Sequence, residues 1–179
     1  MGNCAAAIDE FKQALLLQPY YAQAYKNLGT AYFDLAQYDK AIVAYREAVR
    51  CQGDLAIPYR NLSYAYLITG QRANAVDVLR MGVRAQPDDA TIENELGILL
   101  YMMRRFPEAI EAFTRAVSIN PEMAEPRFNL GCAYLASANK KAAMREHKAL
   151  LTLNSKLAHR LYLFLYKDKL LDLNATAEH

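Results

Sequence analysis

Short stretches of this chain carry apolar residues at steps of three and four, with polar residues between them. One such stripe runs from Ala24 to Leu35, and a second runs from Ala41 to Val49. The polar residues at 37–39 interrupt the pattern, and Gly53 ends it. Because this spacing puts the apolar side chains on one side of a helix, each stripe predicts an amphipathic helix. Two stripes joined by a short turn predict a helix hairpin.

The hairpin pattern recurs with a period of 34 residues along nearly the whole chain. Leucine, alanine and glycine repeat in phase, with Ser63 at one glycine position, as Leu28, Leu62, Leu96 and Leu130, as Ala7, Ala41, Ala75, Ala109 and Ala143, and as Gly29, Gly97 and Gly131. A fixed period of this length is typical of stacked supersecondary units. A single hairpin cannot bury both of its faces, so stability is expected to come from stacking neighbours.

The residues of one unit, Tyr25-x-x-Leu28-Gly29-x-x-Tyr32 followed by an alanine, an aromatic residue and a terminal breaker, resemble the tetratricopeptide repeat (TPR). The resemblance implies an all-α fold, a right-handed superhelix (an α-solenoid of helix hairpins) with a C-terminal capping helix and about ten helices in all. Four full repeats are expected in residues 22–157, as Ala22–Leu55, Ala56–Asp89, Ala90–Met123 and Ala124–Leu157.

The two ends depart from the full repeat. Residues 1–21 align with the second half of a repeat, so its first helix is missing. The apolar stripe through Ile8 and Phe11 is therefore expected to pack on a helix that this chain does not contain, or on a second copy, which makes a homodimer through the Phe11 side possible. Residues 158–173 are expected to form a capping helix with a polar outer face, and residues 174–179 a disordered tail.

Composition narrows the function classes. The net charge is only +2, which does not indicate a nucleic-acid partner. No apolar run is long enough for a membrane span, and an acylation signal at Gly2 and Cys4 is disfavoured by Ala6. Three widely spaced cysteines favour neither disulfides nor a metal site, and they suit a reducing, cytoplasmic location.

The first helix of each repeat is expected to line a concave groove, where a ligand would bind. The residues predicted to form this peptide-binding groove are Lys26, Asn27, Arg60, Asn61, Tyr64, Ile68, Ile98, Tyr101, Met102, Phe128 and Asn129.

Two features of the groove point to a ligand class. Asn27, Asn61 and Asn129 hold equivalent positions, and an amide can bind a peptide backbone through both a donor and an acceptor. The apolar groove residues could form an exposed patch for a partner, or they could pack against neighbouring helices. Glu95 interrupts the asparagine series, and it would repel the acidic C-terminus that some chaperone-binding repeats hold.

No arrangement of residues indicates catalysis or a cofactor. His147 is not followed by the second histidine of a zinc-protease motif, and Cys132 has no histidine placed to activate it. We therefore expect no enzyme activity, and the favoured function is a protein–protein interaction scaffold that binds an extended peptide or a helix. The alternatives are an assembly subunit that self-associates through its N-terminal helix and the recruiting module of a larger enzyme.

Overall fold

The computed structural model describes residues 2–51 and 56–166, with side chains described from residue 5 onward. Within these ranges the chain is all-helical and contains no strand, which confirms the predicted all-α class. The ten helices are α1 Gly2–Leu17, α2 Ala22–Asp34, α3 Tyr38–Cys51, α4 Ala56–Ile68, α5 Arg72–Ala85, α6 Ala90–Met102, α7 Phe106–Ile119, α8 Ala124–Ala136, α9 Lys140–Leu153 and α10 Ser155–Leu165. The side chains of Gly2 and Cys4, residues 167–173 of the expected cap and the tail at 174–179 lie outside the described residues.

The chain divides into two compact units. Unit 1 comprises Met1–Glu95 and unit 2 comprises Leu96–His179, so that the division falls inside α6. Antiparallel hairpins build each unit. In unit 1, α2 pairs with α3 and α4 pairs with α5; in unit 2, α8 pairs with α9.

The turn inside each hairpin uses a left-handed backbone at one fixed repeat position. Gly70 has φ 78°, and the equivalent residues Ala36, Arg104 and Ala138 have φ 56°, 60° and 58°. Only glycine adopts this region without steric cost. Three of the four turns therefore carry a strained non-glycine residue that the 34-residue pattern of apolar positions does not reveal.

Glycine marks the places where two helices approach most closely. A Cβ added at Gly29 would lie 2.5 Å from Cδ1 of Tyr45, and one at Gly97 would lie 2.5 Å from Cε1 of Phe113. Both rings belong to the second helix of the same hairpin. At Gly131 the contacting group is Leu161 of α10, again at 2.5 Å. The close approach predicted for these glycines is confirmed.

The core of unit 1 lies between the first and second helices. It contains a cluster of buried residues that extends from one hairpin to the next: Ala41, Ile42, Tyr45, Tyr59, Leu62, Ala65 and Val78. The helix α1 contributes through Ile8, which is buried with Leu28 of α2, and Phe11 packs partly against the same cluster. The stripe expected to need a helix from elsewhere thus already packs on α2 in part.

The core of unit 2 includes α10, which packs against both α8 and α9. Its buried Ala158, Leu161 and Leu165 join Leu150 in one cluster. The predicted polar outer surface of this capping helix is wrong, because Tyr162, Leu163 and Phe164 are all exposed. Helix α10 therefore covers apolar residues of α8 while exposing others of its own.

Candidate functional site

The exposed side of α2 and α4 in unit 1 carries six of the predicted groove residues. We call this surface the first-helix surface of unit 1; its predicted members are Lys26, Asn27, Arg60, Asn61, Tyr64 and Ile68. The spacing of positions 57, 61, 64 and 68 puts their side chains on one side of α4. Ile57, Tyr64 and Ile68 have exposed fractions of 50%, 54% and 46%. These three residues give unit 1 an exposed apolar patch.

Tyr64 is supported from below by Phe33 of α2. The two ring centroids lie 5.4 Å apart with an interplanar angle of 32°. Phe33 is in turn held by the edge of Tyr38, at a centroid distance of 5.1 Å. Rings at such distances attract one another. Tyr64 is thus exposed to solvent and yet held in place, as a binding anchor must be.

Two amide side chains flank this patch at equivalent repeat positions. Asn27 accepts a hydrogen bond on Oδ1 from Nε2 of Gln23, at 3.1 Å. Its own amide hydrogens remain available for a ligand. Asn61 forms no side-chain hydrogen bond with the described residues, so that both its donor and its acceptor can be used.

Arg60 is engaged within the protein. Its Nε donates to Oε1 of Glu95 at 2.7 Å, and its Nη2 lies 2.6 Å from the same oxygen. The hydrogen bond to Glu95 raises the pKa of Arg60 further above its usual value. The pair links α4 to α6, and each charge offsets the other. Glu95 is therefore not an isolated negative charge in this surface, and Arg60 is not a free cation.

The predicted groove residues of unit 2 are more enclosed. Ile98 and Met102 of α6 are exposed, whereas Tyr101 is half-buried, with its ring 5.4 Å from that of Phe106. Phe128 of α8 is half-buried beneath α10, whose Phe164 ring lies 6.2 Å away.

The guanidinium of Arg160, also on α10, lies 4.8 Å from the centre of the Phe128 ring. Asn129 is half-buried and already interacts with another group of the chain. In unit 2, packing against the capping helix thus accounts for Phe128, and α6 provides the exposed apolar side chains.

The groups that could support chemistry are arranged as inert side chains. Burial raises the pKa of the Cys132 thiol to about 11, so the reactive thiolate is scarce at neutral pH. The His147 ring is half-buried and lies 5.8 Å from that of Tyr162. In residues 2–51 and 56–166 no three side chains of His, Cys, Asp or Glu are grouped so as to hold a metal ion. Over the same ranges no helix has both the length and the apolar character needed to cross a bilayer.

Sequence reasoning found the positions of the surface but missed its internal contacts. The Arg60–Glu95 pair joins residues 35 positions apart, one repeat plus one residue, and such a distance has no signal in hydrophobic periodicity. The opposite charges at related positions were the available hint. The contact of Phe33 with Tyr64 likewise depends on how α2 lies against α4.

Comparisons with known proteins agree with this geometry. The tetratricopeptide repeat family matches residues 22–54 and again residues 90–123, the first and third of the four predicted repeats. The chain contains tetratricopeptide repeats. TPR proteins are generally non-enzymatic, and their repeats support a role in protein–protein interaction.

Solved structures share the fold over most of their length. The crystal structure of MamA has a TM-score of 0.75 and 25% sequence identity, over 88% of this chain and 92% of that chain. MamA from Desulfovibrio magneticus RS-1 has a TM-score of 0.71 and 21% identity, over 87% and 88%. YrrB, described as a TPR protein with an unusual peptide-binding site, has a TM-score of 0.71 and 20% identity, over 89% and 83%. No curated protein sequence matches the chain.

Proposed function

We propose that the chain is a scaffold whose first-helix surface in unit 1 binds an extended peptide segment of a partner protein. The observation that supports this most directly is Tyr64, which is 54% exposed and yet fixed against Phe33. Aromatic residues held in this way contribute much of the free energy in protein interfaces. Ile57 and Ile68, one turn or two to either side, extend the apolar contact along α4.

The two amides suit a peptide in extended conformation. Asn27 and Asn61 stand on neighbouring helices, and packed helices lie about 8–10 Å apart. Three residues of an extended chain cover about 10 Å. A peptide crossing α2 and α4 would therefore bring backbone groups three residues apart opposite the two amides. Recognition of the backbone would give affinity, and a large apolar side chain on Tyr64 would give selectivity.

Charge refines the expected ligand. Because Arg60 and Glu95 offset each other, the positive charge of Lys26 dominates next to Asn27. Lys26 forms no ion pair with the described residues. An acidic residue in the peptide, placed toward α2, would be favoured by this lysine.

A peptide-array screen followed by fluorescence polarisation tests the proposal. Against a peptide selected by the array, Tyr64→Ala should weaken binding by about tenfold or more, and Asn61→Ala by a smaller factor. Tyr20→Ala is the matched control, because Tyr20 is also an exposed tyrosine but lies in the turn between α1 and α2. Full affinity of both Tyr64→Ala and Asn61→Ala would show that the partner binds elsewhere.

A second candidate is self-association through α1. Although Ile8 and Phe11 pack toward α2, the end of this helix leaves Leu16 and Leu17 exposed, the latter by 85%. Exposed apolar groups this close together are typical of an interaction surface. An assembly subunit would use this end of unit 1 and leave the surface around Tyr64 free.

A further inference from the structure

Unit 1 has two cavities on the side formed by its second helices, away from the Tyr64 patch. The first has a volume of about 370 Å³ and the second about 650 Å³. Their floors are equivalent by repeat position: Tyr25, Leu28 and Tyr32 in the first, and Tyr59, Leu62 and Tyr66 in the second. Glu47 of α3 lines both cavities, so α3 forms the ridge between them.

Unit 2 shows what a filled site of this kind contains. Arg127 and Glu146 follow Tyr59 and Val78 by 68 residues, or two repeats. In unit 2 these two side chains form an ion pair of 3.4 Å and are only 20% and 16% exposed. Unit 1 has apolar residues at both positions, and its space remains open. The cavities are therefore a particular property of unit 1 and not a necessity of the repeat.

The walls of the two cavities combine exposed apolar groups with unused charge. Val43 of α3 lines the first cavity and is 62% exposed, and Met81 of α5 lines the second and is 47% exposed. Arg46 and Asp77 stand on opposite walls of the second cavity and form no hydrogen bond or ion pair with the described residues. Glu47, by contrast, is held by Arg50 at 2.7 Å.

We propose that these two cavities together bind an amphipathic helix of a partner protein, with one large apolar side chain in each cavity and a carboxylate paired with Arg46. The cavities are separated by one helix, and a helix with its side chains is about 10 Å wide. On a partner helix, side chains seven residues apart lie on the same side and are also about 10 Å apart. A helix laid across α3 therefore meets both cavities with positions i and i+7.

The charges fix which partner helix fits. Arg46 is a free cation beside the larger cavity, and it would pair with an aspartate or glutamate next to the apolar residue that enters. Asp77 on the opposite wall would accept a lysine or arginine one turn further on. This surface is separate from the one around Tyr64, so the two binding activities can be tested and can fail independently.

The probe is a fluorescein-labelled, stapled helix of about four turns, with Phe at i, Glu at i+4 and Leu at i+7. A second stapled helix of the same composition places Phe and Leu on opposite sides. We expect the first probe to bind and the second to bind about tenfold more weakly. Val43→Glu and Met81→Glu should each weaken the first probe by a similar factor. Both side chains are largely exposed, so circular dichroism should show an unchanged fold.

A charge exchange identifies the role of Arg46. Arg46→Glu should weaken the probe that carries Glu, and replacing that Glu by Lys in the probe should restore binding to this variant. Tyr64→Ala should have no effect on either probe. No binding of the first probe, equal binding of both probes, unchanged affinity in the Val43 and Met81 variants, or a loss with Tyr64→Ala would each overturn the proposal.

Discussion

Gly97→Leu tests whether close approach of helices limits the size of the residue in the first helix. A Cβ at this position would lie 2.5 Å from Cε1, 2.6 Å from Cδ1 and 3.0 Å from Cγ of Phe113. Carbon atoms are in good contact at about 3.5–4.0 Å, so the ring would have to move by about 1 Å. Phe113 is only 1% exposed, and its surroundings leave it no room for that movement.

The expected cost follows from this overlap. Overpacking of a core typically costs about 1–3 kcal/mol, and leucine at Gly97 should be near the upper end because all of its side chain points at the ring. The better helix propensity of leucine would return less than about 1 kcal/mol. For a chain of this length each kcal/mol lowers the melting temperature by about 2–4 °C, so a fall of several degrees is expected.

Thermal and urea unfolding followed by circular dichroism measure this effect. The double variant Gly97→Leu, Phe113→Ala should lose much less stability than the sum of the two single changes, since removing the ring makes space for the leucine. Ser63 provides a natural control. It occupies the glycine position of another hairpin, where Leu79 replaces the aromatic residue, and Ser63→Gly should change stability by less than about 1 kcal/mol. An unchanged melting temperature for Gly97→Leu, or simple additivity with Phe113→Ala, would refute the packing argument.

Three further predictions concern charge, backbone and assembly. Burial raises the pKa of Glu146, so this residue contributes stability below the ordinary glutamate pKa of 4.5 that is lost as the pH rises through the raised value. Glu146→Gln should remove that part of the pH dependence in urea unfolding, and an identical pH profile would contradict it. Arg104→Gly should stabilise the chain by about 1 kcal/mol, because Arg104 is exposed and has φ 60°; a lower urea midpoint would show that its side chain matters more than its backbone. If α1 mediates self-association, sedimentation should show a dimer that both Phe11→Glu and Leu17→Glu convert to monomer, whereas a monomeric parent chain at high concentration would exclude it.

The sequence determines the helices and the hairpins because these depend on local spacing. The four alanines at the start of the second helices, Ala41, Ala75, Ala109 and Ala143, are all fully buried, as their period predicts. The leucines of the first helices are buried as well. A stripe of this kind has one stable arrangement, with its apolar side against the next helix, so residue spacing suffices to predict it.

Part of the candidate surface could also be read from the sequence. Tyr64 and Ile68 were predicted to be exposed on the first helix, and they are. Their positions follow from the same helical spacing that buries Leu62 and Ala65. The sequence could not tell which of the predicted groove residues would be covered, because Phe128 is enclosed by a helix that begins 27 residues later.

Tertiary structure alone decided the contacts that give each unit its chemistry. The pairing of Arg60 with Glu95 converts an expected repulsive carboxylate into half of an ion pair. Leu161 takes the place at Gly131 that an aromatic residue holds in other hairpins, and Arg127 with Glu146 fills a space that unit 1 leaves open. Periodicity describes which side of a helix is apolar, but each of these contacts depends on the distance between side chains of different helices. That distance is set by packing over the whole unit, and no local pattern encodes it.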